Sequence, residues 1–238
     1  MLRQHRALCI SAERLLLHEE VADAFLDRFV ARVRALRLGP GLDYAVDVGS
    51  LTSARRLDVC VEHVRDAVAH GARVLAGGRA RPDLGPLFFE PTVLEGVVRE
   101  AACYAHETFG PVVSVYRVRD DAEAVERANE GDYGLNASIW TRDTARGRRI
   151  ASRIVAGTVN VNEAYAATWA SVGAPMGGMR ASGLGRRHGA EGVHDFTEAQ
   201  TITTQRLWGF GVPPGMTSEQ WARALTAGVR VMKRVGVR

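Results

Sequence analysis

The chain has 238 residues, 46% of them hydrophobic and 24% charged, with three cysteines and a formal net charge of +4. These values are typical of a globular protein with one large or two modest domains, and no segment has the roughly 18 apolar residues of a membrane span. The odd number of cysteines argues against a disulfide framework, the absence of a Cys-x-x-Cys pair argues against a structural zinc site, and the absence of a clustered basic stripe argues against a nucleic-acid binder.

Hydrophobic periodicity predicts alternating strands and helices from residue 14 to residue 162. The first strand is predicted at 14–18, and the helix after it ends at Gly39. The buried face of that helix is predicted to comprise Val21, Phe25, Phe29, Val33 and Leu36. A second helix, which ends at Gly71, is predicted to bury Leu57, Val61, Val64 and Val68.

Later strands are predicted at 72–76, 88–94, 112–116, 137–140 and 158–162, with helices at 120–129 and from 143 to 157. Pro91 indicates an edge or irregular position for the strand that contains it. Strands that alternate with helices of this length predict an α/β fold, with a largely parallel sheet flanked by helices.

The regular alternation stops near Ala164, and a glycine-rich loop system extends from Gly173 to Gly189. The segment from Phe196 to Arg206 is predicted to form a strand outside the main repeat. A linker follows, and the sequence Thr-Ser-Glu-Gln at 217–220 predicts a capping box for a last helix.

Cys9 is the first candidate catalytic residue. A nucleophilic thiol needs exposure and a lowered pKa, because the thiolate is the reactive form. The apolar neighbours Leu8 and Ile10 are instead typical of a buried, inert thiol. The residues alone leave both interpretations open, whereas Cys60 and Cys103 are predicted to pack in the core.

A second candidate site is the sequence Glu-Thr-Phe-Gly-Pro at 107–111. A carboxylate such as that of Glu107 accepts hydrogen bonds from vicinal hydroxyls, and an aromatic ring such as that of Phe109 packs on a planar heterocycle. The same two residues equally fit a surface acid and a core aromatic residue before a turn.

A third motif combines Gly-Thr-Val-Asn-Val-Asn at 157–162 with Pro-Met-Gly-Gly at 175–178. Gly177, Gly178 and Gly183 indicate a loop that approaches other backbone closely. None of the histidines has a spacing to cysteine or carboxylate residues that predicts a metal site.

In this order, the three motifs resemble the C-terminal, catalytic half of the aldehyde dehydrogenases, most of all the succinate-semialdehyde dehydrogenases. The segment from Leu8 to Arg14 is similar to the nucleophile segment of that family, and Cys9 stands at the position of the nucleophile. The family's preceding Gly-Gln is replaced by Arg6 and Ala7. The resemblance begins at residue 8 and continues to about residue 206.

The resemblance implies a role for several residues. Cys9 is the nucleophile, Glu107 bonds the nicotinamide ribose of NAD or NADP, and Phe109 packs against the nicotinamide ring. The substrate-side residues are expected to be Asn162, Trp169 and Ser171. For a substrate with a remote carboxylate, the hydroxyl of Ser171 and the cation of Arg3 are candidate partners.

The resemblance also implies a domain organisation. Residues 1–7 are expected to be a leader unlike the family, and 8–192 the aldehyde dehydrogenase catalytic domain. Residues 193–206 are expected to form an oligomerisation strand, and 207–238 a linker and an amphipathic helix. The basic start lacks the long apolar segment of a secretory signal, so a cytoplasmic location is expected.

The implied activity is oxidation of an aldehyde to a carboxylate with NAD(P)+, through a thiohemiacetal and a thioester on Cys9. In the family, the general base of the sequence Glu-Leu-Gly-Gly-Lys and the main cofactor-binding domain precede the nucleophile. Neither that sequence nor a matching phosphate loop occurs in the 238 residues. We therefore expect a truncated half that is inactive alone, and that forms a homo-oligomer or associates with a full-length subunit.

Two alternatives remain open at this point. In the first, the chain is a non-catalytic partner module that uses the segment 196–206 to pair with full-length subunits by strand addition. In the second alternative, the last helix is a basic anchor on a membrane surface, through Arg223, Arg230, Lys233 and Arg234. The main interpretation expects a small-molecule aldehyde as substrate, and neither nucleic acid nor a membrane as partner.

Overall fold

A computed structural model describes residues 8–41, 44–206 and 211–236. Residues 1–7, for which the sequence predicts a leader, lie outside the described residues, as does Arg3. The chain divides into two units, Met1–Thr197 and Glu198–Arg238. This division lies within the segment 193–206 that the sequence assigns to an oligomerisation strand.

The first unit begins with four strands and four helices: β1 (Arg14–His18), α1 (Glu19–Arg34), α2 (Ala54–Ala69), β2 (Arg73–Ala76), β3 (Thr92–Glu95), α3 (Ala102–Ala105), β4 (Val112–Val118) and α4 (Asp121–Ala128). The four strands form one sheet in the order β1-β4-β3-β2. β1 and β3 both run parallel to β4, whereas β2 pairs antiparallel with β3. The sheet is therefore mixed but mostly parallel, in agreement with the predicted α/β class.

Helices cover both faces of this sheet, because successive side chains of a strand point to opposite sides. One apolar layer contains Leu26 and Val33 of α1 with Val93, Val113 and Val115 of the sheet. The opposite layer contains Cys60, Val64 and Ala67 of α2 with Leu94, Val112 and Tyr116. β4 contributes side chains to both layers, so it lies at the centre of the core.

The buried faces of α1 and α2 differ from the predicted ones. In α1 the buried residues are Ala22, Leu26 and Val33, while Val21 and Phe25 are 55% and 40% exposed. In α2, Cys60, His63, Val64 and Ala67 are buried, and Val61 and Val68 are exposed. The predicted stripes followed the large apolar side chains, whereas small alanines occupy the positions closest to the sheet. Val33, Val64 and the core position of Cys60 are confirmed.

The rest of the first unit contains β5 (Tyr133–Gly134), β6 (Asn136–Ile139), α5 (Thr144–Ala151), β7 (Thr158–Val161), α6 (Ala166–Ala170), β8 (Met179–Arg180) and α7 (Gly189–His194). β6 and β7 form a parallel pair connected through α5, and β5 and β8 form an antiparallel pair. The parallel β6–α5–β7 unit continues the alternation that the sequence predicts.

Two predicted strands differ from the structure. The strand predicted at 88–94 begins only after Pro91, so the proline has the irregular position that was one of its two predicted alternatives, while the strand itself lies inside the sheet between β4 and β2. The proline precedes the strand, so its missing N–H removes no bond from the ladder. Within this single chain, the segment predicted as a strand from Phe196 to Arg206 is not paired, since residues 198–206 have no strand partner in the described parts of the chain. A strand needs a neighbouring backbone, so an oligomerisation strand at this position stays a prediction.

The second unit contains α8 (Ser218–Arg234). Thr217 and Gln220 form the predicted capping box, in which each side chain bonds the backbone amide of the other. Among the described residues, no helix has the length and apolar content to cross a membrane. The same described residues contain no group of three histidine, cysteine or acidic side chains arranged to hold a metal ion.

Candidate active site around Cys9

Cys9 lies in a short turn immediately before β1, and it is exposed. The amide of Ser11 donates to the carbonyl oxygen of Leu8 over 3.0 Å, which closes the turn. Ile10 is buried and anchors the turn, whereas Leu8 is 40% exposed. The apolar neighbours therefore do not bury the thiol, while Cys60 and Cys103 are buried.

The pairing of β1 with β4 brings two of the three motifs to one edge of the sheet. The strands are parallel, and Arg14 stands opposite Ser114. Cys9 and the sequence at 107–111 consequently both precede the amino ends of neighbouring strands. Because the amino ends of parallel strands meet at the same edge, the two segments lie side by side.

Glu13 connects these two segments directly. Its carboxylate accepts hydrogen bonds from the amide of Thr108 at 2.9 Å and from the amide of Phe109 at 2.7 Å. Its carbonyl oxygen accepts a bond from the amide of Ser114 at 2.8 Å. Sequence reasoning missed Glu13, because its carboxylate partners lie 95 and 96 residues further along the chain.

Phe109 adopts the left-handed backbone conformation, with φ of +51°. This conformation costs a residue with a side chain about 1–2 kcal/mol, so the contacts around the turn must hold it. Gly110 follows because a Cβ at that position would lie 2.2 Å from Sγ of Cys60. The guanidinium of Arg56 stands 6.0 Å from the centre of the Phe109 ring.

His63 of α2 holds the same turn through a side chain of the turn, that of Thr108. Its Nδ1 is 3.0 Å from Oγ1 of Thr108, and both side chains are buried. Burial lowers the pKa of His63 below its ordinary value, because the charged imidazolium loses its hydration. The neighbouring charges of Glu62 and Asp66 raise this pKa, and those of His106 and Arg56 lower it further.

Glu107, unlike its neighbour Thr108, is exposed. Among the described residues no donor bonds its carboxylate, so its oxygens remain able to accept bonds from the hydroxyls of a ribose. The Phe109 side chain is partly exposed beside it. Both residues to which the resemblance gives a cofactor contact are therefore accessible, and their chemistry fits a nicotinamide riboside.

Arg14, the last residue of the segment that resembles the nucleophile segment of the family, has a structural position. Its guanidinium lies 5.1 Å from the ring centre of Tyr104 and 5.3 Å from that of Tyr116. It donates to the carbonyl oxygens of Arg127 at 2.9 Å and Glu130 at 3.3 Å. Burial raises the pKa of Tyr116 to about 12, so its hydroxyl stays neutral beside this cation. Arg14 thus fixes β1, and with it the preceding turn, to the end of α4.

A network of amide and hydroxyl side chains joins the nucleophile turn to the loop after β7. Asn136 donates to the carbonyl oxygens of Ile10 at 3.4 Å and Ala164 at 3.2 Å. Its Oδ1 accepts from Thr158 at 2.9 Å and from Asn160 at 3.0 Å. Sequence reasoning missed Asn136 and Asn160. The available signal was the spacing of Thr158 and Asn160, which are two residues apart and therefore lie on the same face of β7.

The three residues expected beside the substrate have different surroundings. Asn162 has φ of +58°, and its Oδ1 accepts a bond from the amide of Thr141 at 2.8 Å, which is the bonding of a turn residue. Trp169 is 51% exposed, with the guanidinium of Arg187 at 5.0 Å from its ring. The hydroxyl of Ser171 donates to the carbonyl oxygen of Ala167 over 2.7 Å. In this conformation Ser171 retains only lone pairs for a ligand, whereas a substrate carboxylate requires a donor.

The glycine motif forms the predicted close approach of backbones. A Cβ on Gly157 would lie 1.5 Å from the carbonyl oxygen of Gly177, and a Cβ on Gly178 would lie 2.5 Å from Ser182. A Cβ on Gly177 would lie 2.3 Å from the carbonyl oxygen of Gly185. Gly183 instead has open space but φ of +126°. These glycines hold the start of β7 against the loop at 175–185.

Comparison with known sequences agrees with this arrangement. The profile of the aldehyde dehydrogenase family matches residues 4–202. The chain is 53% identical over 232 residues to a Mycobacterium tuberculosis (strain ATCC 25618 / H37Rv) protein named "Putative succinate-semialdehyde dehydrogenase [NADP(+)] 2", with 97% of this chain and 45% of that protein covered. It is 38% identical over 200 residues to the glutarate-semialdehyde dehydrogenase of Pseudomonas aeruginosa, with 84% and 41% covered. The chain thus spans a little under half the length of these relatives.

Solved structures show the same similarity. The betaine aldehyde dehydrogenase of Staphylococcus aureus in complex with NAD+ superimposes with a TM-score of 0.75 at 31% identity, with 80% of this chain and 38% of that chain covered. The protein Gox0499 superimposes with a TM-score of 0.77 at 33% identity, with 84% and 43% covered.

Proposed function

This chain belongs to the aldehyde dehydrogenase family, and from that premise we propose that Cys9 is the nucleophile with which the whole protein oxidises an aldehyde to a carboxylate. The observation that carries the proposal is the position of Cys9. It is an exposed cysteine in a turn that Glu13 connects to the turn of Glu107 and Phe109. Cys60 and Cys103 are buried, and burial raises the pKa of the Cys103 thiol, so they are unsuited to attack a substrate.

Each step of the proposed reaction needs either a side chain of this chain or a bound dinucleotide. The Cys9 thiolate adds to the carbonyl carbon of the aldehyde, loss of hydride from that carbon leaves a thioester, and water releases the carboxylate and the thiol. NAD or NADP, when bound, supplies the hydride acceptor. The carboxylate of Glu107 would accept hydrogen bonds from the ribose hydroxyls of the dinucleotide, and Phe109 would pack against the nicotinamide ring.

We propose a semialdehyde with a remote carboxylate, of the succinate-semialdehyde type, as the substrate. The support is the names of the relatives at 53% and 38% identity, which both specify an aldehyde of a dicarboxylic acid. NADP is the proposed cofactor on the same basis, with NAD as the alternative that the solved complex of the Staphylococcus aureus relative supports. A homo-oligomer, or association with a full-length subunit, is proposed for the working assembly.

The isolated 238 residues are proposed to be inactive. They contain no Glu-Leu-Gly-Gly-Lys sequence to supply a general base, and general-base assistance contributes on the order of a hundredfold or more to such reactions. The measurement is turnover of succinate semialdehyde with NADP+ by the purified chain. Turnover near the typical enzyme rate of about 10 per second would contradict this part of the proposal.

The test of the nucleophile uses thiol labelling of the whole chain. With limiting iodoacetamide, we expect Cys9 to be alkylated first, and Cys9→Ser to remove this fast phase. The matched control is Cys103→Ser, which removes a buried thiol and should leave the fast phase unchanged. A fast phase that persists in Cys9→Ser would refute Cys9 as the accessible nucleophile. In an active preparation, Cys9→Ser should abolish oxidation.

A further inference from the structure

We propose that Glu13 is a positioning residue, which sets the turn of Glu107 and Phe109 relative to Cys9 through its bonds to two consecutive backbone amides. The catalytic meaning of this position rests on the proposed function. The bonds themselves do not, because they are properties of the folded chain.

The first argument is the direction of the two amides. Neighbouring amides of extended backbone point to opposite sides, so they cannot share one small acceptor. The amides of Thr108 and Phe109 nevertheless both point at the Glu13 carboxylate, and the pair, followed by the left-handed φ of Phe109, forms a concavity of the kind that binds anions. The anion in this structure is the carboxylate of Glu13, with one oxygen on each amide.

The second argument is the place of Glu13 in the chain. It lies between Cys9 and the first residue of β1, and its own carbonyl oxygen accepts a hydrogen bond from the amide of Ser114 in β4. Its backbone is therefore fixed to the neighbouring strand, while its side chain holds the turn before that strand. A displacement of the Cys9 turn would therefore move the turn of Glu107 and Phe109, and a displacement of that turn would move the Cys9 turn.

The third argument is the charge of the acceptor. Each carboxylate oxygen accepts a hydrogen bond from one amide, and hydrogen bonds to an ionised acceptor are stronger than those between two neutral groups. Glutamine has the same size, but it offers one acceptor oxygen and places an NH2 group against the second amide. Glu13→Gln consequently leaves a partly buried amide without a partner, while the side-chain volume is preserved.

The test is amide hydrogen exchange of the full 238-residue chain. We expect Glu13→Gln to accelerate exchange at Thr108 and Phe109 about tenfold, which corresponds to the loss of one charged hydrogen bond. The amides of Val113 and Val115 in β4 should keep their wild-type rates. If Glu13→Gln fails to fold, Glu13→Asp serves as the second variant, since it keeps the charge but withdraws the carboxylate by one methylene.

The matched control is Glu123→Gln. The Glu123 carboxylate also accepts a hydrogen bond from a backbone amide, that of Arg119 at 3.0 Å. Glu123, however, lies beyond the opposite end of β4. This variant should leave the exchange of Thr108 and Phe109 unchanged. Equal acceleration along β1 and β4 in Glu13→Gln, or none at Thr108 and Phe109, would overturn the proposal.

A kinetic measurement separates positioning from stability. In a preparation that oxidises aldehyde, Glu13→Gln should raise the KM for the dinucleotide about tenfold and leave the KM for the aldehyde unchanged. A merely structural role would lower kcat through a smaller folded fraction, with both KM values unchanged, and would refute the proposal. If no preparation oxidises aldehyde, the proposed function fails, and the exchange rates still decide whether Glu13 holds the turn.

Discussion

At the scale of single residues, the candidate site is held by buried groups whose partners lie far away in sequence. His63 is an example, because its imidazole is desolvated in α2 and bonds a threonine of another motif. Glu13 and Asn136 are only partly buried, but they make the same kind of contact, since their partners lie 95 and 126 residues away. Such contacts exist only after the strands have paired, so residue patterns along the chain did not reveal them.

The buried His63 predicts a loss of stability in acid. In the unfolded chain its imidazole takes up a proton near its ordinary pKa of 6.5, whereas in the folded chain this pKa is lowered. The unfolded state therefore binds more protons below pH 6.5, and the free energy of unfolding falls as the pH decreases through that value. Well above pH 7, the imidazole is neutral in both states and the effect disappears.

The measurement is urea unfolding of the wild type and of His63→Gln at pH 7.5 and pH 5.5. The loss of free energy between the two pH values should be smaller in His63→Gln, since the other titrating groups are common to both proteins. The slope of free energy against urea serves as the control, because it must be the same for both. Equal losses would show that His63 does not carry the acid sensitivity.

At the scale of elements, β1, α1, α2, β4, α5, β7 and α8 could be predicted because their apolar periods and caps are local. The faces of α1 and α2 could not be assigned correctly, since close packing on the sheet favours Ala22 and Ala67 over larger neighbours. The segment predicted as a strand at 196–206 is unpaired in this single chain for another reason. Its Thr-Ile-Thr-Thr sequence favours extended backbone, but a strand also requires a partner, which no local pattern supplies. Its role in oligomerisation stays a prediction.

The contact between the start of β7 and the loop at 175–185 leads to a test with two glycines. A methyl group on Gly157 would stand 1.5 Å from the carbonyl oxygen of Gly177, so the two backbones must separate. Gly157→Ala should lower the free energy of unfolding by about 3 kcal/mol. At Gly49 nothing lies within 4 Å of the added methyl group, so Gly49→Ala should change stability by less than about 1 kcal/mol. Similar losses in both variants, measured by urea unfolding, would contradict the contact.

At the scale of the whole molecule, the fold presents more apolar surface than its core requires. The outer faces of α1 and α2 expose Val21, Phe25, Val61 and Val68, and α8 exposes Val229, Val231 and Met232. Single exposed apolar residues are ordinary, but several on one helix are typical of surfaces that other protein covers. The relatives at 53% and 38% identity are more than twice as long as the matched region, which is consistent with such cover.

This surface predicts self-association of the 238-residue chain. Its mass as a monomer is 25.8 kDa, and light scattering after size exclusion should give a larger, concentration-dependent mass at micromolar protein. A dye that fluoresces on apolar surfaces should bind to the dissociated chain more strongly than to the associated one, because association buries those side chains. Replacement of Val21 and Phe25 by glutamine should weaken association without loss of helicity, since neither side chain belongs to the core of the sheet. A stable 25.8 kDa species that binds no dye at these concentrations would show that the exposed side chains need no partner.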